Sequence, residues 1–226
     1  MTFTHLSSDG NMELRDAIIA TALKMNRVGI NQGKSGNVSA RTKDGFLITP
    51  TGIPYEDTKR EHIVPMSLDG THSGTVLPSS EWRFHRDIYT ARPEVNAIVH
   101  THAIHCTALA VHGLGIPPFH YMVAIAGGTD IRCAPYATFG TQELSNNALK
   151  ALENRQACLL AHHGMIAIGR DLDQALAIAV EVETLATTYL AARISGEPPL
   201  LAAEEMVRVI AKFAEYGQQP GKAQAE

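Results

Sequence analysis

The sequence predicts an α/β fold in which helices pack on a mixed or antiparallel sheet, and three observations lead there. Segments with helical spacing of apolar residues alternate with short β-type runs, but not in the regular order that a doubly wound parallel sheet requires. Two β-type runs flank a tight turn and read as a hairpin. No internal repeat or linker divides the 226 residues, of which 45% are hydrophobic, so one domain over 1–226 with a sizeable core is expected.

The elements follow in order. Leu14, Ile18, Ala22 and Met25 recur at helical spacing within residues 12–28, and Gly29 supplies a left-handed stop. Residues 37–41 and 46–49 flank Lys43-Asp44-Gly45 as hairpin strands. Thr51-Gly52-Ile53-Pro54 breaks regular structure, and Asp69-Gly70 marks a turn. Ser79 and Ser80 precede a helix over 81–89 as caps, closed before Pro93. Residues 97–102 form a short strand, followed by an alanine-rich helical segment up to Gly113. Loop and short strands fill 117–140, and Thr141 caps a helix to about Asn154. Residues 158–168 give two short strands pivoting on Gly164, 172–194 a long helix and 203–216 a last one. The tail over 217–226 reads as mobile.

A net charge of -4 without clustered Lys or Arg argues against a nucleic-acid or anionic-lipid partner. The N-terminus lacks the charged start and apolar core of a secretory signal, and no run of about 20 apolar residues stands out as a membrane span. Cys106, Cys133 and Cys158 are odd in number and lack CxxC spacing, which points to reduced thiols and a cytoplasmic setting.

Eleven histidines are the unusual feature. In an extended strand His100 and His102 project to one side, with Thr101 opposite, so the two imidazoles can share a metal. A His-x-His pair alone is common by chance. Here Ile98 and Val99 would bury it, and His162-His163-Gly164 brings further imidazoles to the end of another apolar strand. Three imidazoles leave a fourth position open, as in a catalytic zinc site. Spacing does not choose between His162 and His163. His5, His62, His72, His85, His105, His112 and His120 are assigned to surface or satisfied core.

Ser79 and Ser80 at a helix start are explained by capping, yet such a terminus is also an anion site. With Gly36-Asn37 and Thr51-Gly52 they suggest a backbone-lined phosphate pocket that needs no Lys or Arg. Glu81 would lie beside that ligand, within reach of the metal and placed to move a proton next to a polarised carbonyl.

Four motifs then carry a resemblance: the 49–55 segment Thr-Pro-Thr-Gly-Ile-Pro-Tyr, the 78–85 segment Pro-Ser-Ser-Glu-Trp-Arg-Phe-His, His100-Thr101-His102, and His162-His163-Gly164. Together they resemble the class II aldolase/epimerase family, from the first helix to the last and including residues 133–140. The resemblance implies a three-layer αβα fold with a central mixed, largely antiparallel sheet. It implies Zn2+ held by His100, His102, His163 and Glu81, with Glu81 as acid/base. Gly36, Asn37, Thr51, Gly52, Ser79 and Ser80 would cradle a substrate phosphate. Tyr121 would give a proton to the aldehyde oxygen in a neighbouring subunit's site, which implies a homotetramer with active sites at subunit interfaces. Phe139, Phe213 and Tyr216 would shape the aldehyde side. The implied reaction is reversible aldol cleavage of a ketose 1-phosphate, such as L-fuculose 1-phosphate, to dihydroxyacetone phosphate and an aldehyde.

Rival readings share the fold. Sugar-phosphate 4-epimerases typically carry Asp at the position of Glu81, which favours the aldolase. A methylthioribulose-phosphate dehydratase is disfavoured by the match over 82–85 and 136–140. Adducin-like binding modules lack the metal histidines that this chain has.

Overall fold

The computed structural model describes residues 8–213. Tyr216 and the tail expected to be mobile lie outside them. The helices are α1 (Ser8–Arg27), α2 (Trp82–Ala91), α3 (Ile104–Val111), α4 (Gln142–Ala151), α5 (Leu172–Arg193) and α6 (Ala203–Phe213). The strands are β1 (Asn37–Thr42), β2 (Gly45–Ile48), β3 (Val64–Ser67), β4 (Ala97–Thr101), β5 (Cys133–Ala134), β6 (Ala157–Leu160) and β7 (Gly164–Gly169).

They form one sheet in the order β3-β2-β1-β4-β7-β6-β5, antiparallel throughout except for the β5–β6 pair. This is the predicted mixed, largely antiparallel sheet. The predicted hairpin is β1–β2, with Thr42 paired to Gly45 across a two-residue loop.

Alternation along the strands fills both faces. Val38, Leu47, Val99, Leu159 and Ala167 point into one cluster with α1, α3 and α5, while Phe46, Ile48, Ile98, Leu160 and Ile166 point into another with α2 and α4. Helices therefore cover both sides, giving three layers. Burial on both faces also explains why β6, β7 and the first three residues of β4 read as continuous apolar runs.

Three expectations need correction. Strand β3 was not foreseen: it is four residues long and contains Pro65, whose missing N–H is tolerated because β3 is an edge strand. The N-cap of α2 is Glu81, not either serine, and its side chain makes no capping bond. Ser79 instead accepts the Glu81 N–H on its Oγ at 3.3 Å, one step ahead of the helix. Finally, the 22 residues of α5 are long and apolar enough to cross a membrane by length and composition alone. They pack as a core helix, with Ala175, Ile178, Ala179, Val182, Leu185 and Ala186 buried against the sheet and α3.

Candidate active site

Strand pairing builds the site. Asn37, which opens β1, is the register partner of His100 near the end of β4, and Thr101 pairs with Met165 in β7. His102 follows β4 directly, and His163 directly precedes β7, so both imidazoles arrive at the same end of the central strands. Glu81 approaches from the start of α2.

The three rings lie mutually edge-on, with centroids 5.0, 4.8 and 4.9 Å apart. Nε2 of His100 is 3.2 Å from Nε2 of His102 and 3.1 Å from Oε2 of Glu81, while Nε2 of His163 is 3.2 Å from Oε1. All four ligand atoms lie within 4.8 Å of one another.

The donor chemistry fits a metal. His100 Nδ1 is 2.8 Å from the Met165 carbonyl oxygen, which can only accept, so Nδ1 carries the proton and Nε2 presents a lone pair. That lone pair faces another acceptor, Oε2 of Glu81, and Oε1 is buried without a hydrogen-bond donor. Burial lowers the pKa of His102 to about 4 and that of His163 to about 3, so both are neutral at pH 7. Burial acts to raise the pKa of Glu81, yet its carboxyl is lowered to about 2, the Asn37 amide being among the groups that favour the ionised form. Facing lone pairs around an ionised carboxylate are relieved by a shared divalent cation.

Beside the cluster opens a cavity of about 320 Å³. Gly36, Asn37, Thr51, Gly52, Ser79, Ser80, Glu81, His102, His163 and Phe139 all line it, so segments spread over 127 positions of the sequence are brought together. His100 lies behind them, fully buried. A larger hollow of about 620 Å³, around Arg15, Arg60 and Val76, holds none of these residues. Gly36 is required by its backbone: φ is +71°, and a Cβ there would lie 2.4 Å from the His100 carbonyl oxygen. The Tyr55 hydroxyl donates to the Gly36 carbonyl at 2.8 Å and pins this turn.

Two expected residues are not brought to this cavity. Tyr121 is half exposed on a 3-10 turn (Tyr121–Ala126), 4.7 Å from the His120 ring. Phe213 packs against the core cluster around α5.

Three lining residues with ionisable or aromatic side chains had no place in the expected cavity. Lys34 corrects the expectation of an anion site free of Lys and Arg: it lines the cavity and donates from Nζ to the Gly52 carbonyl at 3.2 Å. Its position two residues before Gly36, in the same glycine-rich turn, was the available signal. Tyr136 and His162 also line the cavity, ring against ring edge-on at 5.8 Å. His162 adopts φ 55°, which turns it away from the cluster that His163 enters.

Comparison with known proteins identifies the family. The family model for the class II aldolase and adducin N-terminal domain matches residues 16–190. The L-fuculose phosphate aldolase of Escherichia coli strain K12 is 53% identical over 206 residues, 91% of this chain and 96% of that protein. A 5-methylthioribulose-1-phosphate/5-deoxyribulose-1-phosphate aldolase of Rhodospirillum rubrum is also 53% identical, over 204 residues, 90% of this chain and 92% of that protein. A solved L-fuculose 1-phosphate aldolase superposes with a TM-score of 0.87 at 40% identity, covering 92% of this chain and 98% of that one. Its fold, its His-and-Glu cluster and these relatives together make the chain a lyase that belongs to the class II aldolase and adducin N-terminal domain family.

Proposed function

We propose that the chain cleaves L-fuculose 1-phosphate reversibly to dihydroxyacetone phosphate and L-lactaldehyde, as a zinc-dependent aldolase. The observation that carries this reading is the sharing of one cavity by the four-ligand cluster and three donor-rich turns. Bound by His100, His102, His163 and Glu81, zinc, which suits three imidazoles and a carboxylate, would supply Lewis-acid polarisation of the substrate carbonyl.

The chain's own residues do the rest. Backbone and hydroxyl donors at Gly36, Asn37, Thr51, Gly52, Ser79 and Ser80 hold the phosphate, joined by the Lys34 ammonium. Asn37 donates from Nδ2 to Oε2 of Glu81 at 3.0 Å, which leaves Oε1 to carry a proton. In synthesis the ionised Glu81 removes a proton from C3 of the three-carbon fragment; in cleavage Glu81 in its protonated form returns it as the C3–C4 bond breaks, and the proton lost by the C4 hydroxyl balances the one gained at C3. Tyr121 of a neighbouring subunit in a homotetramer takes the C4 hydroxyl proton, and Phe139, Phe213 and Tyr216 bound the aldehyde. The setting is cytoplasmic.

A second reading has equal support from sequence identity: the aldehyde half is that of a 5-deoxy- or 5-methylthio-ribulose 1-phosphate. Both readings share the dihydroxyacetone phosphate half. The test is a coupled assay for dihydroxyacetone phosphate release from L-fuculose 1-phosphate and from 5-deoxyribulose 1-phosphate. It is run before and after chelation and zinc restoration. Zinc-dependent release with the higher kcat/KM on L-fuculose 1-phosphate supports the first reading, and the reverse preference selects the second. No release from either by zinc-loaded protein rejects both.

A further inference from the structure

Glu81, His85 and Tyr89 recur every fourth residue at and along α2, and Asn37 and Ser39 every second residue on β1. These five polar side chains interlock between one helix face and one strand face, and all are buried. Asn37 Nδ2 is 3.0 Å from Glu81 Oε2, and His85 Nε2 is 2.5 Å from Asn37 Oδ1. Ser39 Oγ is 2.7 Å from His85 Nδ1 and 2.8 Å from the Tyr89 hydroxyl.

The carboxylate at one end fixes the direction of every bond. An ionised carboxylate only accepts, so Asn37 presents its NH2 to Glu81 and its Oδ1 to His85. Oδ1 only accepts, so the His85 proton sits on Nε2 and Nδ1 must accept from Ser39. Ser39 has then used its single hydrogen and accepts from Tyr89. A neutral ring is needed for this pattern, and burial provides it by lowering the His85 pKa to about 3. Phe84 stacks on the ring at 4.6 Å and holds its plane.

Packing alone does not orient Asn37, because the two ends of an amide have nearly the same shape. We propose that His85 is a positioning residue: its Nε2–H selects the Asn37 orientation that donates to Glu81, and so fixes the carboxylate against the metal cluster. Without that N–H, Asn37 Oδ1 is left buried and unpaired, and the amide is held to Oε2 by a single bond about which it can swing. The consequence for turnover rests on the aldolase reading above, whereas the hold on Glu81 does not.

The test is zinc affinity, measured by competition with a chromophoric chelator, together with dihydroxyacetone phosphate release. His85→Phe keeps a ring and removes the N–H. It is expected to weaken zinc binding about 10-fold or more and to lower kcat comparably, with KM little changed. His85→Gln, whose amide N–H can donate to Asn37, is expected to recover most of the loss. In an Asn37→Ala background His85→Phe is expected to cost nothing further. Unchanged zinc affinity in His85→Phe, or losses that multiply in the double variant, overturns the proposal. Should His85→Phe fail to fold, His85→Met carries the test by filling the site without an N–H, and unchanged zinc affinity there overturns it equally. A native protein that binds zinc but releases no dihydroxyacetone phosphate defeats the aldolase reading and leaves the chelator measurement to decide the role of His85.

Discussion

Replacing Gly36 by alanine probes the joint between the phosphate turn and the metal strand. Two costs are separable. At φ +71° an L-residue is in the left-handed region, worth about 1–2 kcal/mol against it. The new Cβ would also lie 2.4 Å from the His100 carbonyl oxygen and 2.9 Å from Asn31 Oδ1, where ordinary contact begins at 3.4 Å. Opening that gap between neighbouring central strands is an overpacking of the kind that costs about 1–3 kcal/mol. A total near 3 kcal/mol corresponds to a fall in Tm of about 6–12 °C for a chain of this size. Gly33→Ala is the matched control: its φ is +58°, but nothing lies within 4 Å of the added Cβ, so only the first cost applies. Because the obstructed oxygen belongs to His100, zinc affinity should fall in Gly36→Ala and not in Gly33→Ala. Equal losses of Tm in the two variants, read by scanning calorimetry, would refute the packing argument.

Other perturbations separate the parts of the site. Glu81→Gln should lose most cleavage activity in the dihydroxyacetone phosphate assay, and wild-type turnover would remove Glu81 from the chemistry. Lys34→Ala should raise KM for the sugar phosphate several-fold with kcat held, and should flatten the dependence of KM on salt; a kcat effect alone would contradict a phosphate role. Tyr121→Phe should slow cleavage while leaving inhibition by dihydroxyacetone phosphate unchanged, and a full-rate enzyme would exclude it as the proton carrier. Asp87 reads out pH. Burial raises its pKa, but donors on Arg86, Ser145 and Gln142 outweigh this and set the folded value below 3.8. Its stabilisation is therefore full above pH 3.8 and lost as pH falls through the lower folded value. Asp87→Asn should lower Tm at pH 7, with the gap closing in acid; a gap that persists there would show packing, not charge, at work.

Much of this was legible in the sequence where physics is local. The β1–β2 hairpin, the Thr141 cap, whose Oγ accepts from Leu144 N–H, and the long α5 all follow from spacing and turn chemistry. So does the pairing of His100 with His102. What stayed hidden depended on contacts between distant residues. Nothing near Pro65 announces an edge strand until β2 offers it a partner. Lys34 looks like a solvated side chain until the turn carrying it closes over Gly52. His85 was assigned to the satisfied core, and so it is. Its partners Asn37 and Ser39, more than 45 residues away, are what connect it to Glu81. Helical period four and strand period two were both visible, but their registration against each other was not.

The turn between β6 and β7 specifies the site by counting. Leu160 and Gly164 are paired, so only three residues lie between them. Within these, the His162 N–H is tied to the Ala110 carbonyl of α3 and the His163 N–H to the Leu160 carbonyl. Surface loops generally accept insertions at little cost. Here one residue more or fewer would shift the phase of the turn and exchange the imidazole inside the cluster for the one facing Tyr136. Length is thus as binding as residue identity: a change in the number of residues at this corner would have to be answered by a matching change in the strand that follows.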